Sequence, residues 1–188
     1  MSSESANVQI RVQPTPNPNA WKFILDRSVL NEGKASFNTI EEAFGNRFAE
    51  ELLKVSGVKQ VHFFQNVITI TGRLDVEPDE LQKEIESTIL TRIALNNPAW
   101  TVTDAKKEKR ASQSPDVQKI EEILDRTIRP GLQGDGGDIE VVSFEANKLT
   151  VHYEGACGTC PSSTSGTLMA IESILRDEFG PEIEVIPV

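Results

Sequence analysis

Between residues 117 and 128 the apolar side chains Val117, Ile120, Leu124 and Ile128 recur every three or four positions. That spacing predicts a helix with one buried face, and Pro130-Gly131 predicts its end. Ile139–Phe144 and Lys148–Tyr153 predict two strands joined across Ala146-Asn147, with the turn-rich Gly134-Asp-Gly-Gly-Asp138 ahead of them. Leu168, Ile171, Ile174, Leu175 and Phe179 mark the face of a further helix that stops at Gly180-Pro181, and Ile183–Ile186 is a last short strand. This half reads αββαβ.

Upstream, Val8–Val12 and Trp21–Leu25 predict two strands around a turn stiffened by the prolines of Pro14–Asn19. A helix near Ile40–Val55 follows, then a second hairpin, a helix near Asp79–Ile93 behind Pro78, and a strand at Trp100–Val102. Val61–Ile70 and Val142–Val151 share an apolar pattern, and each sets Asn at its turn. Duplication and generic hairpin chemistry explain that likeness equally well. Trp21 and Trp100 read as core or half-buried strand residues.

The stretch 103–115 has no large apolar residue, clusters charge and ends in Ser-Pro, so it cannot build a core. It reads as a flexible linker. The predicted class is therefore α+β: two small domains, 1–102 and 116–188, joined by 103–115. A domain as small as the second often leans on metal or self-association for stability.

Composition narrows the function. The chain has 188 residues, 38% hydrophobic and 26% charged, the profile of a soluble globular protein. A net charge of −10 argues against nucleic acid as a partner. Residues 117–188 carry five basic and thirteen acidic side chains, a net of −8, which also repels anionic membrane. A solvated surface accounts for that acidity more simply than a docking face for basic partners. No apolar run approaches the roughly 20 residues that span a bilayer. Met1–Asn7 has neither the basic start of a secretory signal nor the arginines of a transit peptide, so the default expectation is a cytoplasmic protein.

The chain holds two cysteines, three apart, in Tyr153-Glu-Gly-Ala-Cys157-Gly-Thr-Cys160-Pro. A secreted disulfide framework would carry more. Small intervening residues let such a loop turn both sulfurs toward one metal centre. Pro161 suits the first position of a helix, so Cys160 is expected at a helix start, where free N–H groups favour a thiolate. Gly155 and Gly158 let backbone amides approach sulfur, a concavity suited to an anionic cluster. Iron–sulfur clusters and all-cysteine zinc sites use four thiolates, and one chain offers two. The other soft or borderline donors are His62, His152, Met1 and Met169. His152 reads as an ordinary strand residue, and His62 lies in the other half. Two copies about a two-fold axis would supply four equivalent sulfurs. A thioredoxin-like dithiol oxidoreductase uses the same spacing near a parallel βαβ pattern, whereas this motif follows an antiparallel hairpin. A zinc-bridged interaction module also fits the ligand count.

At these residues the chain resembles the NifU-like, Nfu-type family of iron–sulfur scaffolds. Gly134-Asp-Gly-Gly-Asp-Ile-Glu140, Gly155–Ser163 and the closing helix resemble the C-terminal domain of NifU. Pro14–Phe23 resembles the N-terminal domain that accompanies it in many Nfu proteins. The resemblance implies a carrier rather than an enzyme. It would bind a [4Fe–4S] cluster, with [2Fe–2S] as the alternative, across a homodimer through Cys157 and Cys160. Its partners would be an upstream assembly scaffold and downstream apo-proteins. Gly134–Asp138 is expected to shape a tight turn, since only glycine takes such φ values cheaply, rather than to ligate through Asp135 or Asp138, and Pro14–Asn19 to form structure rather than to dock a partner.

Overall fold

The structure, a computed structural model, describes residues 8–101, 114–159 and 161–188. It divides into two units: 8–14 with Pro18–Trp100, and Thr15–Asn17 with 101–188.

The first unit is a five-stranded antiparallel sheet. Its strands are β1 (Ile10–Pro14), β2 (Ala20–Leu25), β3 (Lys34–Phe37), β4 (Val58–Phe64) and β5 (Val67–Gly72), in the order β1-β2-β5-β4-β3. Two helices join it, α1 (Arg47–Leu53) and α2 (Pro78–Arg92). Alternating residues of the central strands bury Phe23, Phe63, Ile68 and Ile70, and Leu52, Ile85 and Ile89 of the helices are as fully buried. Phe48 stacks on Phe63 with ring centroids 5.8 Å apart.

Three differences from the expected elements have local causes. Residues 39–45 are turns, and Gly45 adopts φ +86°. The helix therefore starts only where the Asn46 side chain accepts the Ala49 N–H, at 3.0 Å. Phe44, which extended the apolar pattern, is 83% exposed. Strand β3 was not expected. The strand expected at Trp100–Val102 is absent at Trp100 and Thr101, and Val102 lies outside the described residues. Trp100 instead meets Phe37 edge-on, 5.4 Å between centroids.

In the second unit, Ser114 accepts the Val117 N–H and Pro115 opens helix α3 (Pro115–Thr127). Val117, Ile120, Ile123 and Leu124 form its buried face. Pro130 ends that helix, but the chain turns at Ile128 into a second short helix, α4 (Arg129–Gly134). Strands β6 (Gly137–Glu145) and β7 (Lys148–Gly155) pair antiparallel through a turn in which Ala146 and Asn147 both have positive φ. That is the backbone such two-residue hairpin loops require. A 3₁₀ turn at Ala156–Thr159, helix α5 (Pro161–Phe179) and strand β8 (Glu184–Pro187) complete the unit. β8 runs parallel to β7, so the sheet order is β6-β7-β8. The observed order is the expected αββαβ with α4 added. Among the described residues, no helix is long and apolar enough to cross a membrane.

Candidate functional site

The motif starts where β7 stops. Gly155 pairs with Gly137, the first residue of β6, and Ala156 donates its N–H to the Gly136 carbonyl at 3.1 Å. Each glycine here has its own reason. Gly155 (φ +63°) and Gly136 (φ +82°) take a left-handed backbone that L side chains rarely adopt. A Cβ on Gly155 would also lie 2.5 Å from the Gly136 carbonyl oxygen. Gly137 has no such backbone; space is its reason. A Cβ there would sit 2.3 Å from the Cys157 sulfur. Gly134, by contrast, has nothing within 4 Å of a built Cβ. The expectation that Gly134–Asp138 is a turn shaped by glycine φ holds for Gly136 only.

Cys157 is 5% exposed and belongs to the unit's core, with Leu132, Ile139, Tyr153 and Ile171. It carries no disulfide. Cys160, the second expected ligand, lies outside the described residues. His152 is half-buried on the face of β7 opposite Val151 and Tyr153, and its Nδ1 lies 3.0 Å from the Val188 carbonyl. His62 is buried in the first unit, 2.7 Å from Ser36 Oγ. Met169 is 72% exposed on α5. Among the described residues, no three His, Cys, Asp or Glu side chains gather as a metal site.

Tyr153 faces inward beside the motif. Burial, with the Cys157 sulfur adding to it, pushes its hydroxyl up to about 12, against a hydrogen bond with Thr167 that pulls the other way. The same unit holds an ion cluster around the buried Arg129. Arg129 donates through Nη2 to the Ile139 carbonyl at 3.1 Å and pairs with Glu121 and Asp125 of α3. Its Nε lies 3.5 Å from the fully buried Asp138. Burial alone works against the guanidinium charge, but Glu121 and Asp125 outweigh it and hold Arg129 above its ordinary value. Asp138 also accepts from Gln133 Nε2 at 3.0 Å and from the Ile139 N–H at 2.7 Å. Its carboxylate therefore ties α4 to β6. At the Pro14–Asn19 segment, Thr15 Oγ1 donates to the Asn17 carbonyl at 2.9 Å and accepts from the Asn17 N–H at 3.1 Å, a local turn.

The sequence reading did not single out Gly137, Tyr153 or Arg129. Tyr153 was detectable as the inward partner of Val151 in the strand alternation. The other two depend on contacts across the fold. One sequence argument also needs correction. The motif was set apart from dithiol oxidoreductases by its antiparallel hairpin, yet β7, α5 and β8 form a parallel βαβ unit with the motif at its first corner.

The C-terminal half matches the family described as NifU-like domain over residues 120–186, and the N-terminal half that described as scaffold protein Nfu/NifU N terminal over 10–96. The chain is 34% identical to the human NFU1 iron-sulfur cluster scaffold homolog, mitochondrial, over 93% of this chain and 69% of that protein. It is 33% identical to NifU-like protein 4, mitochondrial, of Arabidopsis thaliana, over 88% of this chain but only 61% of that protein's length. These names overturn the expected cytoplasmic location. That expectation rested on the lack of a targeting signal in Met1–Asn7, and the lack of a signal does not assign a compartment.

Proposed function

We propose that this chain, which belongs to the NifU-like Nfu family of scaffold proteins, carries an iron–sulfur cluster between two copies of itself and passes it to apo-proteins. One observation carries the reading: the chain's whole stock of cysteine is a single pair three residues apart at the end of β7, half of a four-thiolate set. Cys157 and Cys160 are the proposed ligands, the cluster being cargo. The surroundings of Cys157 suit it, because its sulfur lies against the bare α-carbon of Gly137, a close backbone approach of the kind anionic clusters favour. We take [4Fe–4S] as the cluster, with [2Fe–2S] the alternative. The upstream donor is an assembly scaffold. Of the expected linker 103–115, residues 103–113, which lie outside the described residues, link the two domains, Ser114 and Pro115 belonging to the start of α3. The relatives' printed names point to the mitochondrion as the working compartment.

Transfer is ligand exchange. A client that offers a full ligand set on one polypeptide displaces thiolates that are shared between two chains, and direction follows relative affinity. Anaerobic reconstitution with iron and sulfide, followed by Mössbauer spectroscopy and sizing, tests this. The expected product is a coloured dimer with one cluster per two chains, and Cys157→Ser or Cys160→Ser is expected to abolish both cluster and dimer. A monomeric serine variant that keeps stoichiometric iron and sulfide overturns it. The parallel β7–α5–β8 unit favours a second reading, dithiol exchange. Reduction of insulin disulfides by metal-free protein would support that one instead.

A further inference from the structure

A sulfur shared with a second copy has to reach outward, yet in this chain Cys157 is 5% exposed and packed within the core of its own unit. Its Sγ lies against the α-carbon of Gly137, where any Cβ would stand 2.3 Å from Sγ, 2.9 Å from the Cys157 Cβ and 3.0 Å from its nitrogen. We infer that Gly137 is the positioning residue that stows the Cys157 sulfur within the core of its own unit, so that Sγ must leave this seat to be shared with a second copy.

The requirement at Gly137 is for space. Its φ is outside the left-handed region, so alanine there has no backbone penalty of that kind, and the clash falls on the cysteine. β6 cannot simply back away. Gly137 is held in register opposite Gly155, and the next residue, Asp138, is fixed by Gln133, Arg129 and the Ile139 N–H. Turning the Cys157 side chain relieves the tightest contact, 2.3 Å at Sγ, while those at its Cβ and nitrogen ask for a small backbone adjustment as well, so the sulfur is the part that moves furthest.

The inference deepens the cluster proposal, since it takes Cys157 as a ligand. Its test uses the metal-free full chain, so either idea can fail alone. Cys160→Ser leaves Cys157 as the only thiol. Its reaction with a small maleimide is expected to be at least about tenfold slower in the folded chain than in denaturant, because a buried group reacts only through opening. Adding Gly137→Ala should raise the folded-state rate by roughly tenfold or more, while Gly134→Ala, with open space around it, leaves the rate within about twofold. A folded-state rate equal to the denatured one, or a folded Gly137→Ala chain with an unchanged rate, overturns the inference. Should Gly137→Ala fail to fold, Cys157→Gly decides the matter, because it removes the sulfur and Cβ from the contact. Recovery of folding in Gly137→Ala/Cys157→Gly supports the seat, and a double variant that stays unfolded overturns it.

Discussion

The hairpins β4–β5 and β6–β7 share one frame and end differently. Both close with a two-residue turn, both carry a register shift near the open end or middle, and both finish their second strand on a glycine. In the first hairpin the open-end glycine makes room for packing. A Cβ on Gly72 would sit 2.8 Å from Leu81 Cδ2 and 3.1 Å from the Trp21 ring. In the second, the final glycine, Gly155, meets the Gly136 carbonyl, and its pair partner on the first strand, Gly137, is the bare position that admits a sulfur. The surroundings diverge in the same direction. Among the described residues, the buried polar side chains of the first unit's sheet are Gln60, His62, Thr69 and Thr71, whereas the second unit buries Arg129, Asp138 and Glu154. One backbone device thus serves packing in one place and the seating of a sulfur in the other, and among the described residues the buried acidic and basic side chains lie in the unit that holds the sulfur. Local departures from ordinary folding rules are expected to collect at such sites.

The contrast can be tested by breaking each side. The largest effect is expected from Arg129→Met, which leaves Asp138 and Glu121 charged without their partner. Removing one member of a buried pair costs about 3–5 kcal/mol, and urea unfolding should show the loss in the second unit's transition, with the first unit's transition unmoved. A loss below about 1 kcal/mol would mean the cluster behaves like a surface ion pair.

Next comes alkali. Tyr153 is the chain's single tyrosine, so tyrosinate absorbance reports it directly. Its folded value is raised from 10.0 to about 12. The unfolded chain therefore releases its proton first. The stability tied to the neutral hydroxyl is whole below pH 10 and is lost as pH climbs through 12. The slope should approach about 1.4 kcal/mol per pH unit across that window. A tyrosinate midpoint at 10 in the folded, metal-free chain would contradict this. Gly72→Ala should cost about 1–2 kcal/mol through overpacking against Trp21 and Leu81, shift tryptophan fluorescence, and leave cluster uptake unchanged. Lys119→Ala should cost least, under about 1 kcal/mol, since Lys119 pairs with Glu178 and covers Phe179 at an exposed position. Thermal unfolding in low and high salt would check it.

The sequence pattern was most legible where a helix face met its own cap. α3 and α5 follow from periodic Val, Ile and Leu bounded by proline or glycine, and both hairpins follow from alternation around Asn. It misled where apolar residues stay in solvent, as Phe44 does, and where Pro130 both ended one helix and began another. β3 is four residues long, Lys-Ala-Ser-Phe, too short to register as a pattern. Strand direction was also hidden, because the pairing of β8 with β7 depends on how α5 crosses the sheet rather than on either strand's residues. Cys157 was legible as a motif. Its seat was not, because twenty residues separate it from Gly137 and only the folded hairpin brings the two together.

Consecutive residues of a strand look to opposite sides, so Gly137 addresses the thiol while Asp138 addresses the guanidinium of Arg129. A slip of β6 by a single position would set either Asp138 against the sulfur and Ile139 against the cation, or Gly136 against the sulfur and the bare backbone of Gly137 against the cation. The span between α4 and β6 therefore has a fixed length. Inserting or deleting one amino acid there would displace both neighbours and spoil both contacts at once, however conservative the inserted residue.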